Sequence, residues 1–150
     1  GPAGTENVAA IAGLGVAARV AGEIIAQGEA IAALRDELEA RLTDISPASR
    51  IYGGSAPRLP NTSSLSMPGV PAELQVMTLD LDGFAVSAGS ACSSGKVKAS
   101  HVLKAMGASE EEAGTAIRVS LGWHTTNAEI DAFIESWGKL YRRKSPKFAA

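Results

Sequence analysis

Near its C-terminus the chain carries apolar side chains at Ile130, Phe133, Ile134, Trp137, Leu140 and Tyr141, whose steps of three and four residues trace one face of an α-helix. A stripe that wide has to be covered, so the helix demands a second layer to pack on. A candidate layer stands just upstream. In Ile117-Arg118-Val119-Ser120-Leu121 apolar and polar residues alternate strictly, which predicts a strand burying Ile117, Val119 and Leu121 and turning Arg118 and Ser120 to the opposite face. Thr126 and Glu129 form a capping box for the helix, and Arg142, Arg143 and Lys144 at its end complement the helix dipole. That basic run therefore needs no ligand.

Further upstream, Ile31, Leu34, Leu38 and Leu42 recur at helical spacing, with Glu37 and Arg41 placed to pair on the polar side. From residue 5 to about 27, Val8, Ile11, Leu14, Val16 and Val20 stand among alanines, which reads as a helix packed closely on its neighbours. Gly13, Gly15 and Gly22 weaken that helix, each by up to ~1 kcal/mol relative to alanine. Between Ser46 and Pro71, prolines and glycines punctuate short segments at 50–52 and 62–67, which read as strands joined by turns. Residues 72–81 predict a helix stopped at Gly83, followed by Phe84-Ala85-Val86 as a strand. The nine residues 87–95 carry no large side chain and read as a loop. A short helix over 101–106 stops at Gly107, and Ser109 with Glu112 opens another. The fold class is α+β, a short antiparallel-type sheet with helices packed on one face.

With 150 residues and 45% hydrophobic content, the chain can bury one ordinary core. Its 14 basic and 16 acidic residues leave a net charge of −2, so binding to nucleic acid through a basic surface is not expected. No apolar run approaches the roughly 20 residues of a membrane-spanning helix, and the N-terminus has no secretory-signal pattern, so the cytoplasm is the simplest compartment. A single cysteine forms no internal disulfide, and no Cys/His cluster offers four zinc ligands, so no metal is expected. Gly1-Pro2 reads like the residue pair left by removal of a purification tag, which would start the natural sequence near Ala3.

Three residues are candidates for chemistry. A lone cysteine is most often a small buried hydrophobe, yet Cys92 lies in a Gly/Ser/Ala stretch with almost nothing to bury, a setting that suits a nucleophilic thiolate. Arg118 is either part of a solvated strand face or a fork that grips a carboxylate. Thr5 is an N-cap for the first helix, and the same geometry presents amides and a hydroxyl to a phosphate. His101 and His124 stay unassigned, and Gly13-Leu14-Gly15 lacks the rest of a dinucleotide fingerprint.

Gly4-Thr5-Glu6-Asn7, Pro60-Asn61-Thr62, the Ser-Ala-Gly-Ser-Ala-Cys-Ser-Ser-Gly run at 87–95, the Ser-His-Val-Leu-Lys-Ala-Met-Gly run at 100–107, Ile117-Arg118-Val119-Ser120-Leu121-Gly122, and Thr125-Thr126 followed by Glu129-Ile130-Asp131 occur in the order seen in one family. Together they resemble the C-terminal portion of the pyridoxal-phosphate-dependent cysteine desulfurases. The spacing from Cys92 to Arg118 is similar to the branch with a long cysteine loop, which serves iron–sulfur and nitrogen-fixation assembly. The resemblance implies a homodimer that converts L-cysteine to L-alanine and leaves the sulfur as a persulfide on Cys92, for an iron–sulfur scaffold or other acceptor protein. It further implies that Arg118 holds the substrate carboxylate and that Thr5 reaches the phosphate of pyridoxal phosphate bound mainly to the other subunit. The family's cofactor domain, with its aldimine lysine, precedes the matching segment. By that resemblance 3–27 is a linking helix from the cofactor domain and 28–150 is the small C-terminal domain. The chain alone is then expected to lack desulfurase activity. Two other readings are a non-catalytic module that docks sulfur acceptors and a stand-alone thiol sulfurtransferase, for which the sequence offers no thiosulfate site.

Overall fold

The structure, a computed structural model, describes residues 4, 6–89 and 100–144. In chain order these form α1 (Val8–Ala26), α2 (Gly28–Ile45), β1 (Thr62–Ser66), α3 (Ala72–Leu81), β2 (Ser87–Ala88), α4 (His101–Ala105), α5 (Glu110–Gly114), β3 (Ala116–Ser120) and α6 (Asn127–Lys144). The strands make an antiparallel sheet in the order β1-β3-β2, so β3 lies at the centre although it comes last in sequence. In its register Ser64 and Ser87 flank Arg118, while Leu65 and Ala88 flank Ile117.

Alternation along β3 separates two faces. Ile117, Val119 and Leu121 join Leu65 in a core covered by α2, α3 and α6. Trp137 of α6 is the largest fully buried side chain and stacks on Tyr141, with ring centroids 5.7 Å apart. Leu38 and Leu42 of α2 are equally buried beside it. Gln75 of α3 also lies inside this core, where an unbonded amide would be costly. Its Nε2 donates to the carbonyls of Val70 (2.9 Å) and Thr115 (2.7 Å), which ties α3 to the residue leading into β3. On the other face a smaller cluster of Tyr52, Leu103, Ala113 and Ala116 packs with the short helices α4 and α5. The α+β class read from the sequence is the one observed, and the three long helices of the core share one face of the sheet.

The punctuation is also as read. Ser109 and Glu112 form a reciprocal capping box, and Thr126 and Glu129 form another through bonds of 2.8 and 3.3 Å. Gly83 (φ +89°) and Gly107 (φ +84°) end α3 and α4 in the left-handed region that a side chain would strain.

Three expectations differ from the structure. Segment 50–52 touches β1 through a single bridge, Ile51 to Leu65, rather than a strand. Residues 84–86 do not pair, and the edge strand begins instead at Ser87–Ala88, inside the stretch read as loop. Ladder bonds come from the backbone, so small side chains are no bar to pairing. Finally, α1 is helical but is not packed closely: Val8, Ile11, Leu14 and Val16 are exposed, and a Cβ placed on Gly13, Gly15 or Gly22 would meet nothing within 4 Å.

The connection into β1 is fastened by charge. Arg35 donates to the carbonyl of Leu59 at 2.8 Å, and both terminal nitrogens of Arg58 reach the Glu39 carboxylate, at 2.6 and 2.5 Å. The Glu39 bonds raise the pKa of Arg58 above its usual value, against the opposing effect of burial. Both side chains are largely buried, with 19% and 11% of their surface exposed, so the pair is poorly screened. Glu39→Ala should lower the free energy of unfolding by about 1.5–3 kcal/mol, the contribution of hydrogen bonds to a charged group. Urea titration measures this, and an unchanged midpoint would show that the pair contributes nothing.

The capping carboxylates set an acid limit. Backbone and hydroxyl donation from Thr126 holds Glu129 below the usual carboxylate range, and Ser109 does the same for Glu112. A depressed folded-state pKa means that the stabilisation is complete above the unfolded-state value and is lost as pH falls through the folded one. Thermal unfolding followed against pH should show this acid-side loss, and Glu129→Gln should make the profile shallower. A profile identical to the parent's would remove Glu129 from the acid response.

Candidate functional site

β3 carries Arg118 to the middle of the sheet face that points away from the main core. Ser64 and Ser87 lie directly across from it on the two neighbouring strands, so their side chains share its face. Over this row opens a cleft of about 330 Å³, whose lining includes Tyr52, Gly89, Ser100, His101 and Met106. The sheet forms one side and α4 the other.

α4 is held at both ends. The hydroxyl of Ser100 accepts a long bond from the Leu103 amide at its start, at 3.4 Å. At its far end Arg50 donates to the carbonyls of Gly107 (3.1 Å) and Met106 (3.3 Å) and lies over the Tyr52 ring, 5.2 Å from its centroid. Burial raises the pKa of the Tyr52 phenol above its usual value, a shift that Ser66 partly offsets, so the ring brings no negative charge to the cleft at neutral pH.

Arg118 contrasts with four of the chain's other arginines. Arg35, Arg41, Arg50 and Arg58 each donate to a carboxylate or a carbonyl. Among the described residues Arg118 has no hydrogen-bond or ion-pair partner, and no carboxylate lines its cleft. An unpaired fork beside two hydroxyls is suited to a carboxylate, which it can take through two parallel N–H donors.

Of the residues singled out in the sequence, Arg118 and His101 line one cleft, while His124 lies elsewhere, edge-on to Trp123 at 5.6 Å. Cys92 and Thr5 fall outside the described residues, as does most of the run read as a loop around Cys92. The segment that contains Cys92 is joined to Gly89 on one side and Ser100 on the other, and both line the Arg118 cleft. Ser64, Ser87 and Tyr52 were not singled out beforehand. The alternation in β1 could have marked Ser64 as facing Arg118's side, but the register that pairs them was not readable.

Pyridoxal phosphate needs a lysine amine, a phosphate cradle and a partner for its ring. Among the described residues no lysine lines this cleft, Lys104 is paired with Glu110, and Lys139 is paired with Glu135 at 2.7 Å. The described side chains therefore fit a carboxylate and do not fit the cofactor.

A family model described as Aminotransferase class-V matches residues 2–133. The chain belongs to that family. Class-V members are pyridoxal-phosphate-dependent in general. The chain is 44% identical to a cysteine desulfurase from Cereibacter sphaeroides, over 89% of its own length and 34% of the relative's. It is 41% identical to the cysteine desulfurase NifS of Azotobacter vinelandii, over 88% and 33%. Among solved structures, a NifS-like protein from Rickettsia africae superposes with a TM-score of 0.76 at 37% identity, covering 93% of this chain and 36% of the other. The chain thus spans about a third of the length of these class-V relatives.

Since the Arg118 side chain has no partner to lose among the described residues, Arg118→Ala should shift the free energy of unfolding by no more than about 0.5 kcal/mol. Urea denaturation of the two proteins checks this. A loss well beyond that would assign the side chain to the fold rather than to a ligand.

Proposed function

We propose that this chain is the portion of a cysteine desulfurase that binds the carboxylate of L-cysteine at Arg118 and accepts its sulfur on Cys92 as a persulfide, releasing L-alanine. The observation that carries this reading is that Arg118, unpaired among the described residues, lies in a cleft lined by both Gly89 and Ser100, the two attachment points of the Cys92 segment. Cys92 follows Gly89 by three residues, so covalent geometry alone limits their Cα separation to about 11 Å. The thiolate is the attacking form: a bond forms between the two sulfurs as the substrate's carbon–sulfur bond breaks, and the electron pair stays with the β-carbon, which takes up a proton to become the methyl group of alanine, a cleavage for which the cofactor would supply the electron sink.

The cofactor of this chemistry would be held by the part of the protein equivalent to the remaining two thirds of the relatives, with Thr5 offering an outer contact to its phosphate in a homodimer. In that arrangement 3–27 links to the cofactor domain and 28–150 is the small domain. The persulfide would pass to an iron–sulfur scaffold or another acceptor protein in the cytoplasm.

In the complete enzyme Cys92→Ser should abolish sulfur transfer while leaving cysteine binding intact, because a hydroxyl is a far poorer nucleophile at neutral pH. Arg118→Ala should instead raise the Michaelis constant for cysteine by roughly one to two orders of magnitude, the loss of a charge-assisted hydrogen bond. Alanine release and persulfide labelling read out both. Full turnover by the serine variant, or an unchanged Michaelis constant in the alanine variant, would overturn the corresponding role.

A further inference from the structure

One residue fastens the two walls of the Arg118 cleft to each other. Arg50 is rooted in the sheet: its amide donates to the hydroxyl of Ser66 on β1 at 3.0 Å, and its carbonyl accepts from the Ser66 amide at 3.1 Å. β1 is the strand that pairs with β3 and sets Ser64 opposite Arg118. The far end of the same side chain reaches the helix wall, where the guanidinium donates to the carbonyls of Met106 and Gly107 at the end of α4. That guanidinium lies over the Tyr52 ring, and the Glu112 carboxylate of α5 stands 3.9 Å from it.

α4 has few other holds. Its five residues are too short for a helix to stand on its own. The bond from the Leu103 amide to Ser100 is long, 3.4 Å, and Leu103 is the one buried side chain of the helix. Yet α4 carries His101 and continues directly from Ser100, both of which line the cleft.

We propose that Arg50 is a positioning residue for the chemistry of this cleft, setting the separation between the wall that carries Arg118 and the wall that carries His101. Such a role rests on the reading of the cleft as the place where L-cysteine is bound. A planar fork suits it, since two donors held in one plane fix direction as well as distance, which a single ammonium does not. Truncating the side chain leaves the backbone bonds to Ser66 and the pairing of β3, so Arg118 keeps its place. Carboxylate binding then persists while the opposite wall shifts, and a misplacement of about 1 Å is enough to cost a reaction roughly two orders of magnitude.

Two measurements test this. In the 150-residue chain, Arg50→Ala should speed amide exchange at Lys104, Met106 and Gly107, which donate along α4 and its last turn, by about tenfold or more. The amides of Met67 and Leu121, which donate to Thr115 and Asn61, should keep their rates. In the complete enzyme the same substitution should lower kcat for alanine release by about tenfold or more and leave the Michaelis constant for cysteine within about threefold of the parent's. Arg50→Lys keeps the charge and loses the fork, so its exchange rates and kcat should lie between those of the parent and of Arg50→Ala. Unchanged exchange along α4, an unchanged kcat, or a Michaelis constant raised as far as in Arg118→Ala would each overturn the proposal. Acceleration spread equally over α4 and the sheet would do the same, because it marks a general loss of stability. If Arg50→Ala gives both expected effects while Arg118→Ala leaves the Michaelis constant unchanged, the fastening of the walls stands and the carboxylate reading is what fails.

Discussion

Antiparallel pairing holds β3 on both edges, by β1 along its full length and by β2 at two residues. Because side chains alternate, this pairing fixes both faces of the strand together. The contacts that seat Ile117 and Val119 under α2, α3 and α6 are the same contacts that aim Arg118 at the cleft. A slip of one residue would carry an unpaired guanidinium into the core and leave isoleucine on the polar face. The cost of desolvating that charge makes the slipped register unfavourable, so the hydrophobic core selects the geometry of the candidate site.

On the core side, Gln75 donates twice and Arg58 closes on Glu39, while Ser63 Oγ, Gln75 Oε1 and Trp137 Nε1 lie buried without a hydrogen-bond partner among the described residues. On the cleft side, Arg118 is left with small hydroxyl neighbours and no internal acceptor among the described residues. Such a group keeps its N–H donors available to a bound carboxylate. Arg50 shows the contrast within the same region, since its guanidinium is spent on the carbonyls that end α4.

Much of the architecture could be read from local pattern. The strict alternation at 117–121, the capping pairs Ser109/Glu112 and Thr126/Glu129, and the stops at Gly83 and Gly107 are all short-range signals, and the structure repeats each of them. The departures come where long-range partners decide. Ser87–Ala88 pairs because β3 offers an edge, which the bland sequence around Cys92 does not announce. In the same way α1 reads as a packed helix from its composition, but the layer it would pack on is not in this chain's described structure. At the site, Arg118 was legible as the polar residue of an apolar strand. Its flanking serines were not, because they come from strands far away in sequence and only the register brings them together. The assignments at Cys92 and Thr5 rest on motif and resemblance, since both lie outside the described residues.

Gln75 has a mechanical consequence. Its amide is shared between the carbonyl of Val70, just ahead of α3, and that of Thr115, which also accepts from the amide of Met67. Sliding α3 across the sheet would take the Gln75 donor from both carbonyls and leave Thr115 with the Met67 amide alone, so shear between these layers is opposed at the point where β3 begins. α3 and the start of β3 are therefore coupled through a single side chain.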